Sequence, residues 1–130
     1  MNLVRFNYRN YIIYRNIMAR VFSTNVHDFK KDVLEAEVPV LLELSTNYCD
    51  HCLILKPFID SLEERYKDRD LDVVKLNVYV PEQQKNVDKI TQKYKLRGVP
   101  TVYLIKNGEV VEEKIGPSAF EVASMIQRNT

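Results

Sequence analysis

The stretch Cys49-Asp50-His51-Cys52 contains both cysteines of the chain, and its residue types are suited to redox chemistry. It follows an apolar run and precedes apolar residues at helical spacing, so we expect it at a junction between a strand and a helix. The unsatisfied N–H groups and the dipole of a helix N-terminus stabilise a thiolate, which lowers the pKa of a cysteine there. The two-residue spacing predicts that Cys49 attacks a disulfide and that Cys52 resolves the mixed disulfide.

Two other uses of the cysteine pair remain open, namely half of a metal site and a structural or inert disulfide. Zinc usually takes four ligands, and the chain has no second pair of cysteines. The other histidine, His27, is distant in sequence, and adding His51 to the two cysteines leaves the site one protein ligand short. The residues therefore favour redox chemistry, and no metal is predicted.

Patterns of apolar residues predict the elements that position this motif. The first half of the chain is predicted to contain a helix over 26–36, a buried strand over 38–44, a helix from Cys52 with a kink at Pro57, and a strand over 71–80. The second half is predicted to contain a helix from Pro81, short strands over 101–106 and 109–115, and a helix from Pro117. Asn107-Gly108 between the short strands is a hairpin signal. This alternation indicates a single α/β domain.

The composition excludes several classes of protein. A chain of 130 residues is long enough for one domain, and 45% hydrophobic with 28% charged residues is ordinary for a globular protein. The formal net charge of +1 argues against a nucleic-acid binder, whose surface would be strongly basic. No apolar run approaches the roughly 20 residues of a transmembrane helix, so no membrane span is predicted.

The N-terminal segment differs in charge from the rest of the chain. Residues 1–22 contain four of the 19 basic residues and none of the 18 acidic ones, which leaves a net charge of −3 on residues 23–130. Basic, acid-free segments with interleaved apolar residues are typical of organelle targeting peptides, and residues 20–24 (RVFST) resemble a mitochondrial processing site. We expect residues 1–22 to be a targeting peptide for the mitochondrial matrix and residues 23–130 to be the working domain. A disordered extension, a start at Met18, and a plastid or cytoplasmic location are the alternatives.

Several segments beyond the cysteines match one known family. Pro57 lies where that family kinks its active-site helix, Arg97-Gly98-Val99-Pro100-Thr101 matches its cis-proline segment, and Lys106-Asn107-Gly108-Glu109 matches its terminal hairpin. Residues 26–128 thus resemble the thioredoxin family. The resemblance implies an α/β thioredoxin fold of three α/β/α layers, with a central mixed sheet flanked by helices.

The resemblance also implies roles for individual residues. It assigns Cys49 as the nucleophile and Cys52 as the resolving thiol. It places a cis bond at Val99–Pro100 beside the sulfurs, where an extended client segment would pair with exposed backbone. The residues assigned to substrate binding are Val99, Pro100, Thr101 and Gly116.

A buried acid and a basic partner complete the implied catalytic set. Glu43 occupies the position of the family's buried acid, and Lys75 that of its partner. A carboxylate beneath the resolving cysteine could accept the proton of that thiol as it attacks. A salt-bridged strand residue with no catalytic role is the alternative for Glu43.

The chain departs from the family around the cysteines. Tyr48 replaces the usual Trp, and Asp50-His51 replaces the usual Gly-Pro, so we predict that these three residues tune the redox potential. A cationic His51 would stabilise the Cys49 thiolate, and Asp50 would act in the opposite direction. Histidine at this position also occurs in disulfide isomerases and bacterial disulfide oxidases. Residues 79–86 look like an insertion relative to a minimal thioredoxin.

The function implied by the resemblance is a thiol-disulfide oxidoreductase that reduces disulfides in client proteins. No bound cofactor is expected, since the sequence has no dinucleotide-binding glycine motif. The electrons would come from a thioredoxin reductase or another dithiol donor. Isomerase or oxidase activity is one alternative, and a non-enzymatic binding module of the same fold is another.

Overall fold

The computed structural model of the chain describes residues 3–8 and 11–130. Its strands are β1 (Leu3–Tyr8), β2 (Tyr11–Asn16), β3 (Ala19–Ser23), β4 (Val40–Ser45), β5 (Leu71–Asn77), β6 (Thr101–Lys106) and β7 (Glu109–Ile115). Its α-helices are α1 (Asp50–Asp60), α2 (Leu62–Arg65), α3 (Gln84–Lys93) and α4 (Ala119–Asn129). A π-helical turn spans Lys30–Leu34, and a 3₁₀ turn spans Pro81–Gln83.

Five strands form one mixed sheet in the order β3-β5-β4-β6-β7. The pairs of β5 with β3 and with β4 are parallel, and β6 pairs antiparallel with both β4 and β7. Helices α1, α2 and α4 pack on one face of the sheet, whereas the π-helical turn and α3 pack on the other. The predicted three-layer α/β/α architecture is confirmed. Strands β1 and β2 pair with each other in a separate two-stranded sheet.

The central strand β4 positions the cysteine motif. Its side chains alternate between the two faces, so Leu41 packs with α1 and α4 while Leu42 and Leu44 pack on the opposite face. All three are fully buried, which accounts for the continuous apolar run in the sequence. Since α1 follows β4 after a short loop, the start of this helix lies at one end of the sheet, near its middle.

The strand β3 crosses the predicted boundary at residue 23. It pairs with β5 from Ala19 to Ser23, so the sheet includes four residues assigned from the sequence to the N-terminal segment. Arg20 donates to both carboxylate oxygens of Asp72, at 2.9 and 2.7 Å, and Asp72 is only 3% exposed. A five-residue edge strand with two polar residues has too little apolar pattern to be recognised within a basic segment. Within that segment, Arg9 lies outside the described residues.

Two helices differ from the sequence-based expectation. The helix predicted over 26–36 is a π-helical turn at Lys30–Leu34, held on the core by Phe29 and Val33. The helix after Cys52 contains Pro57 as predicted but ends at Asp60, and α2 follows Ser61. Ser61 donates through its hydroxyl to the carbonyl of Phe58 at 2.6 Å, which gives this carbonyl a partner at the break between α1 and α2. In the described part of the chain, no helix combines the length and the apolar character needed to cross a membrane.

Candidate active site

Cys49 and Cys52 form a disulfide at the N-terminus of α1. Cys49 is the N-cap residue, and its Sγ accepts a hydrogen bond from the backbone N–H of Cys52 at 3.1 Å. The same contact would stabilise a Cys49 thiolate after reduction. Cys52 is only 5% exposed, whereas Cys49 is half-buried. A client can therefore reach Cys49 more readily than Cys52.

The loop before β6 lies against the disulfide. The Val99–Pro100 peptide bond is cis, and the carbonyl oxygen of Val99 lies 3.5 Å from the Cys49 Sγ. Gly116 donates its backbone N–H to the carbonyl of Pro100 at 2.8 Å. Thr101 is 1% exposed, and its hydroxyl donates to the carbonyl of Gly98 at 2.6 Å. The structure thus brings Val99, Pro100 and Gly116 together near Cys49, while Thr101 holds the loop from inside.

His51 bridges α1 to the segment after β7. Its Nε2 lies 3.0 Å from the carbonyl oxygen of Pro117, and because a carbonyl oxygen can only accept, Nε2 carries a proton and donates it to this bond. The imidazole also lies over Gly116, where an added Cβ would be 3.6 Å from the His51 Cε1. The neighbouring Asp50 is an exposed residue in the first turn of α1. Asp50 follows Cys49 and His51 precedes Cys52, so both lie close enough to the sulfurs for the predicted redox-tuning role.

Tyr48 contacts a residue that the sequence did not single out as part of the site. Its ring is 84% exposed and meets the ring of Tyr79 edge to face, with centroids 5.7 Å apart. Tyr79 is 53% exposed and is the first residue of the insertion predicted over residues 79–86. The sequence analysis predicted an insertion over these residues but no contact with Tyr48, because the ring contact depends on the tertiary structure.

Glu43 is buried behind the disulfide. It is 4% exposed, and its Oε2 has no hydrogen-bond partner among the described residues. A cavity of about 260 Å³ is lined by both Glu43 and Cys52. Burial raises the pKa of Glu43 to about 7, although the positive charge of Lys75 acts in the opposite direction. A carboxyl with this pKa can take up and release a proton near neutral pH.

Lys75 lies beside Glu43 in strand register, but its ammonium forms a hydrogen bond with Asp60 and not with Glu43. The Lys75 Nζ donates to Asp60 Oδ1 at 2.6 Å, and Lys56 donates to Asp60 Oδ2 at 2.5 Å. Lys56 and Asp60 were not predicted as site residues. The spacing of four residues on one helix could have predicted the ion pair between Lys56 and Asp60. The contact of Lys75 with Asp60 could not be predicted in this way, because Lys75 lies on β5.

The chemistry of this site needs the two sulfurs and a proton acceptor. Among the described residues, no group of three or more His, Cys, Asp or Glu side chains is arranged to hold a metal ion. His27 lies away from the cysteines, with its Nε2 3.5 Å from the Nε2 of Gln83. The arrangement can exchange a disulfide between Cys49 and an incoming sulfur.

Comparison with known proteins agrees with this geometry. A family model described as Thioredoxin matches residues 20–128. The chain belongs to the thioredoxin family. A thioredoxin from Rickettsia felis is 38% identical over 96 residues, which cover 72% of this chain and 85% of that protein.

Solved thioredoxins share the fold. The short form of thioredoxin F from spinach chloroplast superposes with a TM-score of 0.73 at 25% identity, covering 88% of this chain and 96% of that one. A structure of ferredoxin:thioredoxin reductase with thioredoxin f2 matches with a TM-score of 0.72 at 21% identity, covering 87% and 97%. Family membership and the Cys49–Cys52 disulfide identify the chain as a thiol-disulfide oxidoreductase.

Proposed function

We propose that this thioredoxin-family protein reduces disulfides in client proteins, with Cys49 as the attacking sulfur and Cys52 as the resolving one. The observation that carries this order is the difference in burial between the two cysteines at the start of α1. The Val99 carbonyl beside the Cys49 Sγ supports strand-like pairing with an extended client segment.

The reaction has two exchange steps. The Cys49 thiolate attacks one sulfur of the client disulfide, the client S–S bond breaks, and one client sulfur leaves as a thiolate. Cys52 then transfers its proton to Glu43 and attacks the Cys49 Sγ, which breaks the mixed disulfide and releases the second client thiolate. Two electrons pass from the dithiol to the client, and the Cys49–Cys52 disulfide is left on the protein.

Cysteine variants test the order of the two sulfurs. Cys49→Ser should abolish reduction of a disulfide-bonded test protein, because no sulfur remains where a client can reach it. Cys52→Ser should form a mixed disulfide with the test protein that persists until a small thiol is added. Gel analysis without reductant measures this adduct. Equal trapping by both variants would contradict the proposed order.

We propose that a separate reductase or dithiol donor returns Cys49 and Cys52 to the thiol state. The solved complex of ferredoxin:thioredoxin reductase with thioredoxin f2, which has this fold, supports a partner of that kind. Purified reductases with different electron donors can be compared by the rate at which they reduce the wild-type disulfide. The Cys52→Ser variant is the control, since it cannot form the internal disulfide.

A second candidate function is disulfide isomerisation or oxidation, and it rests on His51. When protonated, an imidazole next to Cys52 favours the Cys49 thiolate, which makes the disulfide more oxidising. Titration against glutathione distinguishes the candidates: a potential of roughly −270 mV supports a reductant, and one of roughly −180 mV supports an isomerase. His51→Pro should make the couple more reducing. An unchanged potential in this variant would show that His51 does not tune the site.

For location we propose the mitochondrial matrix, with plastid and cytoplasm as the alternatives. The acid-free segment with four arginines supports a targeting role. The Arg20–Asp72 pair between β3 and β5 favours any processing step upstream of residue 19, because cleavage after Phe22 would remove most of β3. Import of the full chain into isolated mitochondria, followed by N-terminal sequencing, tests both points. An Arg5→Gln, Arg15→Gln variant is the matched control for the charge of the segment.

A further inference from the structure

The charged groups behind the disulfide form a cluster around Glu43. Lys75 is paired with Glu43 in strand register, Lys56 on α1 lines the same cavity as Glu43, and Asp60 on α1 accepts hydrogen bonds from both lysines. Val102 lies opposite Glu43 on β6. The other residues lining the shared cavity are uncharged: Ser23, Thr24, Ser45, Thr46, Asn47, Cys52, Leu53 and Asn77.

Asp60 links the two lysines of this cluster. It accepts hydrogen bonds from Lys75 at 2.6 Å and from Lys56 at 2.5 Å. The Oε2 of Glu43, by contrast, is buried without a partner among the described residues. The Lys75 ammonium could compensate the charge of the buried Glu43 carboxylate. It is instead hydrogen-bonded to the half-exposed carboxylate of Asp60 on α1.

We propose that Asp60 is a positioning residue that holds the Lys75 ammonium away from Glu43 and thereby controls when Glu43 can accept the proton of Cys52. This inference rests on the proposed role of Glu43 as the base for Cys52. In the oxidised protein Glu43 needs no counter-ion while it is protonated. When Cys52 has to give up its proton, Glu43 is already protonated in a fraction of the molecules and cannot accept it. That fraction depends on how close the Lys75 ammonium lies to Glu43.

The electrostatic directions agree with this geometry. After burial, the largest influence on the pKa of Glu43 is Lys75, which lowers it, and the next is Asp60, which raises it. Removing the negative charge of Asp60 has two consequences: it ends a repulsion and it releases Lys75 to turn toward Glu43. Both consequences favour the ionised carboxylate.

The test is a direct titration of Glu43 in Asp60→Asn, by carbon-13 NMR of side-chain carboxyl groups in the full chain. The pKa of Glu43 should fall by about one pH unit or more, because an opposite charge brought close to a carboxyl has an effect of that size. A fall from about 7 to about 6 would raise the ionised fraction at pH 6 about fivefold. Release of client from the mixed disulfide should accelerate at pH 6 by at most about fivefold, because a carboxylate of lower pKa is also a weaker base, and it should not accelerate at pH 8. An unmoved Glu43 titration overturns the proposal.

A second pair of variants separates redirection of Lys75 from simple charge repulsion. In a Lys75→Met background the Lys75 ammonium is absent and only Lys56 remains bound to Asp60, so Asp60→Asn should lower the pKa of Glu43 by less than it does alone. An equal fall in both backgrounds would show that Asp60 does not act through Lys75, and the proposed positioning role would be wrong.

Two control variants complete the design. Asp60→Glu keeps the carboxylate and should leave the titration of Glu43 close to that of the wild type. Glu64 on α2 forms an exposed ion pair with Lys67. Glu64→Gln removes one negative charge there and should have no effect on the titration of Glu43. If Asp60→Asn lowers the pKa of Glu43 but the pH profile of client release does not move, Asp60 has the proposed position and the role of Glu43 as base is what fails.

Discussion

Replacing Glu43 with Gln should stabilise the protein, and the gain should be larger at alkaline pH. The side chain is 4% exposed, and burial raises its pKa from 4.5 to about 7. Between these two values the folded state binds more protons than the unfolded state, so this group makes folding less favourable as the pH rises. The two pKa values correspond to a penalty of about 1 kcal/mol at pH 5 and about 3 kcal/mol at pH 8.

Urea unfolding of the oxidised proteins at pH 5 and pH 8 measures this difference. Gln is neutral at both pH values, so any fixed cost of its buried amide cancels between them. The free energy of unfolding of Glu43→Gln relative to the wild type should therefore rise by about 2 kcal/mol from pH 5 to pH 8. Glu64→Gln, at an exposed position, should show no such rise. An equal effect of Glu43→Gln at both pH values would refute the argument that burial raises the pKa of Glu43.

Two further predictions concern stability at other positions. Arg20→Ala removes a bidentate partner from the buried Asp72 and should cost about 1–3 kcal/mol in urea unfolding, because hydrogen bonds to charged groups have about this net value. Lys67→Ala in an exposed pair should cost less than about 1 kcal/mol, and equal costs for the two variants would contradict an ordered β3. Gly116→Ala should cost roughly 1–2 kcal/mol, since Gly116 has a φ of 58°. Its new Cβ would be in ordinary contact with His51, so disulfide exchange should persist, and a complete loss of exchange would show that more than backbone strain is involved.

The local parts of this protein could be predicted from its sequence. The cysteine spacing before apolar residues at helical intervals identified the redox pair and the start of α1, because both signals lie within a few turns of chain. The apolar run of β4 and the Asn107-Gly108 hairpin likewise depend on neighbouring residues. The three-layer order followed from the resemblance to a known family.

The remaining features depend on contacts between residues distant in sequence. Strand β3 pairs with β5, and the Arg20–Asp72 ion pair joins residues 52 positions apart, whereas the five residues of β3 carry little pattern of their own. Likewise, the resemblance to the thioredoxin family implied that Glu43 and Lys75 are partners, but the fold of α1 over β5 brings Asp60 to the Lys75 ammonium. Sequence determined which residues carry the sulfur chemistry. Tertiary structure decided which charges surround them, because an ion pair forms with whichever group the packed helix and strands bring within hydrogen-bonding distance.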